Sequence, residues 1–112
     1  THHLVDDRLI RLMKSDAMLV NTSRGPLVDE KALTEALLED RLAGAGLDVF
    51  EGEPPATDNP LFTAPNVVAT PHSSALSREC VRNVAVEAAQ AVVDALEERR
   101  PRFVFNAKEL GL

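Results

Sequence analysis

The sequence predicts an α/β domain built on a parallel sheet of about three strands, and three observations predict it. Short apolar runs at residues 17–21, 43–49 and 67–70 each end in a polar or proline-bearing turn. A stretch with helical periodicity separates the first two runs, and a long connection, residues 50–66, separates the second from the third. Strand, helix, strand, long crossover, strand is the alternation of a parallel sheet with right-handed crossovers. Open sheets of this kind bind ligands beyond the carboxyl ends of their strands. The three runs deliver Arg24, Asp48 and His72 to that edge.

The elements follow in order. Asp6 or Asp7 is a natural N-cap for a short first helix with Leu9, Ile10, Leu12 and Met13 on its apolar face. The run 17–21 is apolar on both pleat faces, which predicts a strand covered on both sides. After the Arg24 turn, Asp29 caps a second helix. Ala32, Leu33, Ala36 and Leu37 form its buried stripe, Lys31, Glu35 and Glu39 face water, and Asp40–Arg41 ends it. In the second strand Gly44 and Gly46 allow the close approach of a helix or ligand.

Residues 50–66 hold four of the seven prolines. A connection this long in a compact domain is either functional or disordered. The prolines restrict the unfolded chain and favour order, with Leu61 and Phe62 pinning the segment to the core. After the third strand, Ser77 caps a long helix to about Arg99, and Pro101 marks its stop. Its apolar arc, Val81 through Leu96, is too wide for a helix covering one sheet face and predicts a second neighbour. Phe103–Val104–Phe105 reads as a short strand in need of a partner. The chain opens at Thr1–His2–His3–Leu4 without an initiating Met, and is expected to be a fragment of a longer protein.

Composition narrows the function. The 112 residues are one domain's worth, and a hydrophobic content of 45% with 27% charged residues excludes disorder. A net charge of −6 and the lack of Trp and Tyr argue against a nucleic-acid partner, which needs a basic face or stacking platforms. One placed arginine can still capture a small anion. With one cysteine, Cys80, there is no internal disulfide, so the expected location is cytoplasmic. No apolar run is long enough for a membrane span, so no membrane partner is expected.

The residues at the sheet edge carry the chemistry. Arg24 offers a planar fork suited to a carboxylate, and would equally suit a structural ion pair. His72 can pass a proton near neutrality. Glu53 and Glu51 leave the second strand near the same edge, and a carboxylate bonded to the imidazole would fix its tautomer. Glu51 reads equally as a solvated loop charge. Asp48 lies in an otherwise apolar strand, where a carboxylate needs partners; it either caps a loop or meets a ligand, and the ligand role is preferred. His2 and His3 read as surface or scaffold residues, no metal site is read, and Cys80 reads as a small core thiol. An arginine beside a histidine–acid pair suits reduction of a 2-keto acid, or proton abstraction next to a carboxylate.

Three stretches resemble signatures of the D-isomer-specific 2-hydroxyacid dehydrogenases. They are Leu19–Val20–Asn21–Thr22–Ser23–Arg24–Gly25–Pro26–Leu27–Val28–Asp29–Glu30, Ala43 to Pro54, and Pro65 to His72, in the family's order. The resemblance implies a partial Rossmann-like parallel sheet with flanking helices and a long C-terminal helix. Residues 1–100 would be the C-terminal half of a dinucleotide-binding domain, and residues 101–112 a tail returning toward a substrate domain. It further implies that Arg24 binds the substrate carboxylate and carbonyl, with His72 the acid/base and Glu53 its partner. Thr22, Ser23, Arg24, Asp48 and His72 would lie against NAD or NADP, Asp48 on the nicotinamide carboxamide.

The family's substrates are small 2-keto and 2-hydroxy acids, and the full-length protein would be a homodimer. The family's glycine-rich loop G-x-G-x-x-G, the residue that selects between NAD and NADP, and the substrate domain are outside these 112 residues. The isolated chain is therefore expected not to turn over. Two other readings stand beside this one: a dinucleotide-sensing binding protein of the same superfamily, corepressor-like, and a folding or assembly unit.

Overall fold

A computed structural model of the chain describes residues 1–111, and Leu112, the last residue of the expected tail, lies outside them. The chain forms two compact units, Thr1–Ser74 and Ala75–Leu112.

The first unit contains α1 (Asp7–Ile10), β1 (Met18–Asn21), α2 (Glu30–Leu38), β2 (Gly44–Leu47) and β3 (Val67–Ala69). The strands form one parallel sheet in the order β1-β2-β3. Their register aligns Asn21 with Leu47 and Leu47 with Ala69, so the three strands end on one row.

The local signals explain the elements. Asp6 caps α1 by accepting from the Leu9 amide, and Asp29 caps α2 by accepting from the Ala32 amide. The α2 stripe is buried as its spacing predicts, with Thr34 beside it, while Lys31, Glu35 and Glu39 are exposed. Asp40 ends the helix in the left-handed region at φ 53°. Its amide donates to Leu37 O and the Arg41 amide to Ala36 O, which satisfies the last-turn carbonyls. The core gathers Ile10, Leu33, Leu37 and Leu61, all fully buried, with Leu19, Val28, Leu42, Leu47 and Phe50 around them. Each of the four contributes about 2 kcal/mol over remaining exposed.

Three expectations are corrected in this unit. β1 is not covered on both sides: Leu19 and Asn21 are buried, but Met18 and Val20 are exposed, as is Val68 of β3. Within the unit only the face toward α2 is packed. Gly44 does not admit a helix or ligand. A Cβ there would lie 2.6 Å from the Asn66 carbonyl oxygen, so the close approach is between β2 and the entry to β3. Gly46 meets only ordinary contact with Val20. In the 50–66 connection Leu61 is fully buried at a short 3-10 helix, Pro60–Phe62, but Phe62 is 44% exposed and tilts against Phe50 instead of entering the core.

The second unit holds α3, Arg78–Leu96, with Ser77 accepting from the Cys80 amide at 3.1 Å. It ends three residues before the expected Arg99. Glu98 takes φ 56°, its amide donates to Ala95 O, and the Arg99 amide donates to Asp94 O. This C-terminal motif usually announces itself by glycine, and glutamate hides it from a sequence reading. Cys80 is half-buried, not a core thiol. Val81, Val84, Val86, Val92 and Leu96 are exposed along the apolar arc. Residues 103–105 form no strand: Phe103 and Phe105 are exposed, and the chain there enters turns. Among the described residues no helix is long and apolar enough to cross a membrane.

Candidate active site

Each sheet strand ends in a turn that presents one of the expected residues. After β1, the buried Asn21 organises the turn: its Nδ2 donates to Arg24 O at 2.9 Å and its Oδ1 accepts from the Ser23 amide at 3.1 Å. Asparagine bonding backbone two and three residues ahead is a standard turn device. It leaves Thr22, Ser23 and Arg24 exposed, with Arg24 Nη1 donating to Ser23 O at 2.7 Å. Gly25 follows, buried directly against the Phe50 backbone, so the Arg24 turn packs on the turn leaving β2.

The turns after β2 and β3 bring Glu53 and His72 together. His72 Nδ1 lies 2.8 Å from Glu53 Oε2, and Glu53 Oε1 accepts from the Phe50 amide at 3.1 Å. The His72 contact, then the Phe50 amide, holds the Glu53 carboxyl below the ordinary range against the opposing effect of burial, and the charge of Arg24 adds to the lowering. Glu53 is therefore ionised near neutrality and can only accept, so Nδ1 carries the hydrogen and Nε2 is the ring's acceptor nitrogen. The His72 side chain is half exposed. Its backbone sits in the left-handed region at φ 51°, which histidine enters more readily than most residues, and is held there by its own amide, which donates to Asp48 O at 2.9 Å and Thr70 O at 3.1 Å.

Asp48 is 3% exposed and occupied. Its Oδ1 accepts from Thr70 Oγ1 at 2.5 Å and the Ser73 amide at 2.8 Å; Oδ2 accepts from the Ser74 amide at 2.9 Å. The loop-capping role, the less favoured of the two sequence readings, is thus present in the structure. These donors, the Thr70 hydroxyl foremost, hold the Asp48 carboxyl well below the usual carboxylate range against the opposing effect of burial.

Because the folded value is depressed, the stabilisation is complete above the ordinary value of 3.8 and is lost as pH falls through the folded value. The expected result is a thermal midpoint that falls progressively as the pH drops below about 4. Asp48→Asn should begin lower at neutral pH and drop less steeply. Parallel curves would remove Asp48 as the titrating group.

A cavity of about 430 Å³ opens beside the pair, with Asp48, Glu53, Thr70 and His72 on its polar side and Phe50 and Phe62 among its apolar lining. A small molecule with one apolar part and one polar end suits such a site.

Elsewhere the fold gives His3 and Glu51 partners that the sequence did not. His3 Nε2 lies 2.8 Å from Glu51 Oε1, and Nδ1 lies 3.8 Å from Asp29 Oδ2. The three side chains offer atoms within 4.8 Å of one another. Each ring nitrogen serves a different carboxylate, which makes His3 a bridge between them. Asn21, Gly25, Thr70 and Glu30 were not singled out from the sequence. An asparagine closing an apolar run before Ser–Arg was the available signal for Asn21; Glu30 reads only as a first-turn acid.

A three-stranded parallel sheet with flanking helices, presenting arginine, carboxylates and a histidine–glutamate pair beyond its strand ends, is a partial Rossmann-like α/β fold with these groups where such sheets bind ligands. Residues 1–74, the first compact unit, match the model of the D-isomer specific 2-hydroxyacid dehydrogenase NAD binding domain, and the chain belongs to that family.

Among its relatives, the glyoxylate/hydroxypyruvate reductase B of Klebsiella pneumoniae (strain 342) is 49% identical over 96 residues, covering 86% of this chain and 30% of the reductase. Two solved structures resemble it closely. A D-lactate dehydrogenase with NAD+ from Lactobacillus jensenii matches with TM-score 0.82 at 33% identity, covering 95% of this chain and 36% of that one. An acyclic imino acid reductase in complex with NADPH and D-Arg matches with TM-score 0.83 at 35% identity, covering 94% and 33%. The chain therefore spans about a third of the length of these proteins.

Proposed function

We propose that this chain is the catalytic half of the cofactor domain of a dehydrogenase that interconverts small 2-keto acids and D-2-hydroxy acids. The observation that carries the reading is the His72–Glu53 pair, 2.8 Å apart, at the sheet edge that also presents Arg24. The name of the Klebsiella relative puts glyoxylate and hydroxypyruvate first among candidate substrates.

Arg24 grips the substrate carboxylate and the neighbouring carbonyl oxygen with its fork of N–H donors. That contact draws electron density from the carbonyl carbon and fixes its orientation. In the reducing direction His72 Nε2 donates a proton to the carbonyl oxygen; in the oxidising direction it takes that proton back. Glu53 holds the ring's tautomer and stabilises its charged form. The exposed Thr22–Ser23–Arg24 turn and the polar wall of the cavity suit the nicotinamide end of NAD or NADP. When bound, the dinucleotide supplies or takes up the hydride at the 2-carbon. Asp48 divides its carboxylate between the Thr70–Ser74 loop and the carboxamide. The phosphates belong to a glycine-rich loop outside these 112 residues.

On this reading residues 1–100 complete the cofactor domain, residues 101–112 return toward a substrate domain, and the full-length protein is a homodimer.

The test is to express the full-length product of this gene and mix it with NADH or NADPH and a panel of glyoxylate, hydroxypyruvate and pyruvate. Loss of reduced-nicotinamide absorbance with at least one keto acid is expected. No oxidation with any of them would sink the proposal.

A further inference from the structure

We infer that Glu30 is a positioning residue for the proposed acid–base pair, because its carboxylate staples together the two ends of the loop that carries Glu53. The inference rests on the His72–Glu53 reading above and deepens it.

The loop needs such a device. Between Phe50 and Leu61 no side chain is buried, and residues 51–54, which include Glu53, are all exposed. Packing cannot fix Glu53 there, so polar contacts must. Glu30 supplies them at both ends. At the near end its amide donates to Glu51 Oε1 at 3.0 Å, and the Glu51 amide donates back to Glu30 Oε1. At the far end Asn59 Nδ2 donates to Glu30 Oε2 at 3.1 Å, while Asn59 Oδ1 accepts from the Leu61 amide. Leu61 is fully buried, so the far end is anchored to the core through this chain of contacts. His3 adds a further hold on Glu51.

Glu30 is itself on firm ground. It opens α2, whose cap Asp29 and buried stripe fix the helix to the sheet. Charge-assisted hydrogen bonds from a rigid helix to both ends of a loop restrict every residue between them. One of these is Glu53, whose remaining contacts are the Phe50 amide and the His72 ring. A glutamate at the start of a helix also favours the helix dipole without touching any loop. The two roles differ in what they move: a dipole role alters α2, and a stapling role alters the His72 proton.

The experiment is long-range ¹H–¹⁵N spectroscopy of the His72 ring in the 112-residue chain, at a pH where the ring is neutral, together with amide exchange. Wild-type chain should hold the hydrogen on Nδ1. Glu30→Ala should shift the population toward Nε2–H and speed exchange of the Phe50 amide by about tenfold, with Leu33–Leu37 exchange unchanged.

Glu53→Gln tests the underlying pair. An unaltered ring spectrum in that variant removes the pair itself. A ring altered in Glu53→Gln but not in Glu30→Ala overturns only the Glu30 inference. Should Glu30→Ala melt α2, Glu30→Gln decides: it keeps a helix-compatible side chain but loses one acceptor. A partial tautomer shift with α2 intact then supports the staple, and a wild-type ring overturns it.

Discussion

With His72 replaced by asparagine, reduction of 2-keto acids by the full-length product of this gene is expected to slow about a thousandfold in kcat, the range general acid–base groups supply. KM should change little, since the carboxylate is assigned to Arg24. Asparagine retains a polar side chain that can bond Glu53 but cannot deliver a proton at pH 7. Glu53→Gln should cost less and should move the pH profile, because the ring remains but its ionised partner, 2.8 Å away, is gone. The check is steady-state kinetics across pH. Equal kcat in His72→Asn and wild type would take His72 out of the chemistry.

Gly25→Ala is expected to be the most damaging single-methyl change to stability. The added Cβ would lie 1.9 Å from both the carbonyl carbon and the oxygen of Phe50, and 2.5 Å from the Glu51 nitrogen. These are backbone atoms of the turn leaving β2, so no side chain can rotate out of the way. A loss of about 3 kcal/mol or more is expected, read from urea unfolding of the 112-residue chain. Gly52→Ala is the control: nothing lies within 4 Å of its added Cβ, and its effect should stay within about 0.5 kcal/mol. If the two variants unfold alike, the Arg24 turn and the Phe50 turn are not in contact in solution.

What the sequence made legible was whatever acts over a few residues. Asp29 and Ser77 cap the helices they were expected to cap, and the Ala32–Leu37 stripe is buried, because both signals lie within two helical turns. Arg24, Asp48 and His72 reach one edge because parallel topology leaves a chain of this pattern no other place for them. A local pattern does not decide the outcome where a partner does. Phe103–Phe105 has strand propensity, yet a strand requires a neighbour to pair with. Apolar Met18 and Val20 imply a covering layer that the unit does not itself supply. The role of Glu30 was unreadable for the same reason: its loop contacts lie 21 and 29 residues away.

The common row of Asn21, Leu47 and Ala69 has a consequence for size. Arg24 and His72 each stand three residues beyond that row, in the turns that leave the two outer strands. The strand ends from which those turns leave, Asn21 and Ala69, are two ladder spacings apart, roughly 10 Å. On the proposed reading, a substrate held between Arg24 and His72 has to match that spacing, which favours a compact acid. The hydrogen-bonded spacing of the backbone thus acts as a gauge, and no exchange of side chains can reset the distance between the strands that carry them.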